Sequence, residues 1–159
     1  MKKVSKTYQL DTENFNDTFF LEGVCSTDED YQIAFQLNQI LDSSFYRSKQ
    51  DLDFPNTNVF FSRFIWEKET EGIIAEMFSN KFQKVLSSKE KLNNTLFDTP
   101  NRKEVYLLTE FKQLDFIIKV NDRITLNKIR SALQKLSNIA LHYTIENDKI
   151  QNRLHLIFD

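Results

Sequence analysis

Cysteine, glycine and proline are nearly missing from this 159-residue chain, which has one Cys, two Gly and two Pro. The single thiol, Cys25, cannot close an internal disulfide or supply a zinc site of the usual ligand set. It stands between Val24 and Ser26 in a stretch that reads as a strand, so a buried, inert thiol is expected. Two glycines are too few for a glycine-rich phosphate loop. Two prolines are too few for collagen-like or proline-rich recognition segments. No window approaches the run of about 18 apolar residues that a membrane span needs. Met1 to Lys6 carries three lysines with no apolar run behind them, unlike a secretory signal. A cytoplasmic protein without membrane association is therefore expected.

Histidine is scarce as well. His142 and His155 have no Cys, His, Asp or Glu near them at metal-ligand spacing, and each is expected to be structural. Without a candidate base, no serine or cysteine triad can be assembled. No metal, cofactor or catalytic residue is expected.

What the chain does have is the composition of a folded protein, 40% apolar and 28% charged. Its length suits one domain, residues 1–159, with a core built unaided. Fifteen Phe point to an aromatic-rich core. Charge is unevenly placed. Residues 7–46 hold eight acids and no Lys or Arg, while residues 1–6 and 47–159 each carry a net +3. Such asymmetry can steer a partner or a second copy, or can be neutralised within one fold.

Periodicity gives the organisation. Strands are expected at Lys6 to Leu10 and Phe19 to Cys25. A helix follows, with Ser26 and Glu29 at capping-box spacing and Ile33, Ala34, Leu37, Ile40 and Leu41 as its apolar stripe. Further strands are expected at Phe45 to Asp53 and at Val59 to Trp66. A partner strand for the latter, Glu71 to Phe78, should follow a turn at Lys68 to Thr70. Residues 79–103 are polar and read as a long mobile loop. Glu104 to Leu108 and Leu114 to Val120 read as a hairpin or as one bulged strand. A second helix starts near Thr125, with Leu126, Ile129, Leu133 and Leu136 as its stripe, and a strand from Leu141 to Ile145 closes the pattern. The apolar end, Leu154 to Phe158, should dock on the body. The fold class is α+β, a mostly antiparallel sheet with two main helices packed on it.

The stretch Leu108-Thr109-Glu110-Phe111-Lys112-Gln113-Leu114-Asp115-Phe116 resembles the signature of the bacterial IPExxxVDY family. Glu110 and Asp115 match its two acids. Leu108, Leu114 and Phe116 stand for Ile, Val and Tyr, and Thr109 replaces the proline. Asp30 to Asn38, Asp51 to Phe54, Ser79-Asn80-Lys81 and the Leu156-Ile157-Phe158 ending are also similar to the family, in the same order. The resemblance implies a small single-domain bacterial protein and carries over no activity, cofactor or catalytic residue.

Two sets of residues are candidates for function. Glu110 and Asp115, with Phe111 between them, flank a turn. Acids there accept backbone N–H groups, dock a partner or, if a shared pocket splits their pKa values, act as acid and base. Strand alternation places Phe60, Phe64 and Trp66 on one face, as core, protein-docking surface or base-stacking platform. The basic side chains around the second helix, Arg123, Lys128, Arg130 and Lys135, are a solvated face or a contact for the acidic segment of another copy. The first functional reading is a non-enzymatic protein-interaction module for itself or a partner. The alternative is an RNA-associated accessory domain using the aromatic strand and the Lys-bearing loop, disfavoured by an overall pI near 5.8.

Overall fold

Alternation along the strands separates two cores, one on each face of a central sheet. The computed structural model describes residues 18–54, 57–85, 102–151 and 156. In chain order its elements are β1 (Phe20–Ser26), α1 (Asp30–Leu41), β2 (Tyr46–Arg47), β3 (Leu52–Phe54), β4 (Val59–Phe61), β5 (Arg63–Lys68), β6 (Ile73–Ser79), β7 (Lys81–Val85), β8 (Arg102–Tyr106), β9 (Phe116–Val120), α2 (Arg123–Lys135) and β10 (Ile139–Ile145). Six strands form one antiparallel sheet in the order β10-β1-β9-β6-β5-β2. The β3–β4 and β7–β8 pairs are separate two-stranded ribbons. The fold is α+β with a mostly antiparallel sheet and two helices, as the sequence pattern implies.

One face of the sheet carries both helices. Val24, Phe64, Trp66, Ala75, Met77, Phe116, Ile118 and Val120 pack there against Ile33, Ala34 and Leu37 of α1 and Leu126, Ile129, Ala132 and Leu133 of α2. Residues of the opposite parity, among them Leu21, Phe78 and Ile117, look into a second core. That core is roofed by Val59 and Phe61 of β4, by Leu107, Leu108 and Leu114, and by Ile145, Ile150 and Leu156.

The helices start where the local chemistry puts them. Glu29, not Ser26, caps α1, in a reciprocal pair with Gln32: the Gln32 amide oxygen accepts the Glu29 N–H at 2.8 Å. The Ser26 hydroxyl serves its own loop instead, accepting from Asp28 N–H and donating to Asn138 O. Asp42, in the left-handed region at φ 51°, ends α1. Asp122 caps α2 by accepting the Thr125 N–H at 2.7 Å.

Four sequence expectations are corrected. The stretch Val59 to Trp66 is two strands that part at Ser62. β5 stays in the main sheet, while β4 leaves it to pair with β3 and bring Phe61 over the second core. Phe45 to Asp53 is also broken, into β2 and β3, by a turn in which Ser48 Oγ accepts the Gln50 N–H and Arg47 pairs with Asp51. Glu104 to Leu108 and Leu114 to Val120 do not pair, because β8 pairs with β7 and β9 lies between β1 and β6. The burial of Leu107, Leu108 and Leu114 turns the connecting segment across the second core rather than along a hairpin. Both ends of the expected loop, 79–103, are strand: Lys81–Val85 pairs with Arg102–Tyr106, with Phe82 opposite Val105. Residues 86–101 lie outside the described residues, as does the strand expected at Lys6 to Leu10. Of the docking segment Leu154 to Phe158 only Leu156 is described, and it is buried.

Gly23 marks the closest approach between the sheet and its roof. A Cβ built there would lie 2.4 Å from Cδ1 and 2.9 Å from Cδ2 of the fully buried Leu114. Gly23→Ala should therefore lose about 1–2 kcal/mol in urea unfolding, overpacking outweighing the reduced entropy of the unfolded chain. Leu114→Ala should cost less in that background than in the wild type, because it removes the clash. Independent effects would contradict this packing.

Candidate functional site

The segment that carries the family-like signature is held by one buried amide. Asn80 has no exposed surface. Its Nδ2 donates to the carbonyls of Phe111 and Leu114 at 2.9 and 3.0 Å, and its Oδ1 accepts the Leu108 N–H at 2.8 Å. Its backbone N–H donates to Asp115 O, and its carbonyl accepts the Leu107 N–H. A non-repeating segment crossing a core exposes backbone groups to apolar surroundings, and one side chain satisfies three of them here.

The two signature acids have different partners. Glu110 Oε1 accepts the Gln151 N–H at 2.8 Å, which ties the turn to the segment after β10. Asp115 Oδ2 accepts the Ser26 N–H at 3.0 Å and Oδ1 pairs with Lys81 Nζ at 2.7 Å, which ties it to the end of β1 and the start of β7. Phe111, between them, packs on the second core. Beside Asp115 opens a shallow cleft of about 620 Å³ lined by Cys25, Ser26, Thr27, Ser137 and Asn138. Its polar groups are largely paired: Asn138 Nδ2 donates to both carboxylate oxygens of Asp28. Cys25 is half-buried rather than buried, with its thiol donating to Gln113 O at 3.0 Å.

Two further carboxylates are buried in the sheet. Glu22 is fully enclosed on the helix face, where it meets His142 Nδ1 at 2.6 Å, Thr144 Oγ1 at 2.8 Å and Arg130 Nε at 3.5 Å. On the other face Glu76 pairs with Arg63 and, at 3.4 Å, with Lys119. A buried carboxylate without such partners would be costly, so each pins the surrounding strands. The Glu22–His142 contact crosses 120 residues of sequence, so spacing gave no signal of it. Among the described residues, no three His, Cys, Asp or Glu side chains cluster as metal ligands, and no helix is long and apolar enough to cross a membrane.

The aromatic strand does not form one surface. Phe64 and Trp66, each 5% exposed, belong to the helix-side core, where Trp66 meets Phe45 with ring centroids 5.5 Å apart. Phe60 is 45% exposed, across the bend at Ser62, with its ring against Phe82. Buried rings cannot stack on bases, so the platform that suggested RNA is not assembled. The signature residues and the aromatic strand thus lie in different parts of the fold.

Among the described residues, large apolar side chains are exposed singly on strands, at Tyr46, Phe60, Ile74, Val85 and Leu141, and as neighbours on the helix layer. Tyr31 and Phe35, one turn apart on α1, are 60% and 61% exposed. On the side of α1 that faces α2, Ile40, Leu41, Ile124 and Ala132 line a groove of about 420 Å³, bordered by Lys128 and Lys135. Helix periodicity in the sequence locates these positions, but only the structure reveals that no described element covers them.

Compared with models of known protein families, with curated proteins and with solved structures, the chain matches none.

Two groups at the signature cleft titrate away from their ordinary values. Burial, and then the Asp115 carboxylate, push the Cys25 thiol up. The hydrogen bond to Asp115 raises the Lys81 ammonium. Both folded values lie above the unfolded ones, so their contribution to stability is complete at neutral pH and is lost as pH rises through the raised values. Urea stability should thus fall above pH ~9, and less so in a Lys81→Met, Cys25→Ala variant. Iodoacetamide at pH ~8 should alkylate Cys25 more slowly in the folded protein than in the unfolded chain. Equal rates would contradict the placement of the thiol.

Proposed function

We propose that the chain is a non-enzymatic, cytoplasmic protein-interaction module that docks through its helix layer. The observation that carries this reading is the exposure of Tyr31 and Phe35 side by side on α1. Large aromatic side chains presented together on a surface, with polar residues around them, mark docking sites more often than scattered apolar residues do. Exposure of Ile124 at 71%, at the start of α2, supports the same reading. So does the engagement of Glu22, Glu76, Glu110 and Asp115 by partners within the chain. Membership of the IPExxxVDY family belongs to the same proposal, supported by the order of the resembling segments and by the way Asn80 and Asp115, both within them, are joined in one network.

The test is capture from a cell extract with tagged protein, with and without ribonuclease, comparing the wild type with a Tyr31→Ser, Phe35→Ser double variant. Both substitutions are at exposed positions and should leave the fold intact by circular dichroism. The expected result is a stoichiometric protein, either another copy or a different chain, that resists ribonuclease and is lost with the variant. Recovery of the bait alone would contradict the module. A retained set that ribonuclease removes would favour the RNA-associated reading instead.

A further inference from the structure

The helix layer presents two surfaces that do not face each other but do match. At a rotation of about 100° per residue, the core residues Ile33, Ala34 and Leu37 define the inward side of α1. Tyr31 and Phe35 lie on one flank and the outer side. Ile40 lies on the opposite flank, where the groove with α2 opens. The start of the aromatic flank is acidic: Asp28, Glu29 and Asp30 precede Tyr31, and no Lys or Arg occurs between residues 7 and 46. The groove is basic and apolar, with Lys128 and Lys135 two turns apart on α2 and no acid lining it. Glu71 lies near enough to act on Lys128, and is itself paired with Lys68. Two aromatic side chains a turn apart, next to two carboxylates, fit an apolar groove bordered by two ammonium groups in both shape and charge.

Building on the proposed docking role, we propose that the occupant of the α1–α2 groove is a second copy of this chain, which inserts Tyr31 and Phe35 and sets Glu29 and Asp30 against Lys128 and Lys135. With donor flank and acceptor groove on opposite flanks of α1, the proposed contact is heterologous rather than a reciprocal two-fold. The pair leaves one flank and one groove open, so assembly continues beyond the dimer unless a ring closes. Charge pairs at its rim make the contact sensitive to salt.

The experiment is sedimentation of the full chain at about 0.02 M and about 0.5 M salt, with two variants. One, Tyr31→Ser with Phe35→Ser, lacks the donor flank. The other, Lys128→Glu with Lys135→Glu, lacks the acceptor groove. The wild type should gain mass with concentration at low salt and return to monomer at high salt. Each variant alone should be monomeric, and an equimolar mixture should form a dimer and nothing larger, since one intact flank meets one intact groove. A wild type that stays monomeric at low salt overturns the inference. A closed dimer that either variant abolishes and mixing does not restore overturns it too. If the wild type is monomeric yet still captures a different protein through Tyr31 and Phe35, the docking reading stands and the second copy does not. If it is monomeric and captures nothing, both fail.

Discussion

The side-chain amide of Asn80 is the constraint on which the second layer of this fold depends. Residues between β8 and β9 must cross an apolar core without a strand partner. Their backbone groups would otherwise be buried unpaired at a cost of about 1–3 kcal/mol each. Asn80 satisfies the Leu108 N–H and the Phe111 and Leu114 carbonyls at once, with both ends of its amide in use. It can do so because it stands at the junction of β6 and β7, where the chain leaves the main sheet. Its own backbone pairs with Leu107 and Asp115 on either side of the segment. Leu114 is then fixed over Gly23, Asp115 reaches Ser26 and Lys81, and Glu110 reaches Gln151. The segment therefore joins β1, β7 and the chain after β10 to the body of the protein.

This arrangement gives the signature-like residues a physical meaning. An apolar pair, Leu108 and Leu114, anchors the crossing, and two acids, Glu110 and Asp115, close its ends by accepting backbone N–H groups. The chemistry on this side of the sheet is directed inward. Glu22 and Glu76 follow the same logic within the sheet, each buried among cationic or hydrogen-bonding partners. The helix layer presents Tyr31, Phe35 and Ile124 outward, and the proposed interaction rests there.

Much of the architecture is legible in the sequence, and for identifiable reasons. Both helices follow from apolar residues at a spacing of three and four, since that period maps directly onto the buried faces of α1 and α2. β6 and β9 follow from runs rich in β-branched and aromatic residues. Propensity does not encode which strands pair, so β8 and β9 looked like a hairpin although each has other neighbours. Nor does it encode where a strand changes sheets: Val59 to Trp66 is rich in β-formers throughout, and the bend at Ser62 answers to distant packing over Phe61. At the candidate site, Glu110 and Asp115 could be found as acids flanking a turn. Asn80 could not, because a polar residue in a Lys-bearing stretch has no local mark of burial. The Glu22–His142 contact joins strands at opposite ends of the chain and left no local pattern. Tyr31 and Phe35 lie off the apolar stripe of α1, and nothing local in the sequence tells whether another element covers them.

Native-state hydrogen exchange at the Leu108 amide tests the central role of Asn80 most directly. This N–H lies in no strand or helix, and its described acceptor is Asn80 Oδ1. It should exchange as slowly as the amides of β9. In Asn80→Ala its protection, and that of the Asp115 amide bonded to Val24 O, should collapse while α1 keeps its own. A Leu108 amide that exchanges at an unprotected loop rate in the wild type, or that is unchanged by Asn80→Ala, would contradict the account.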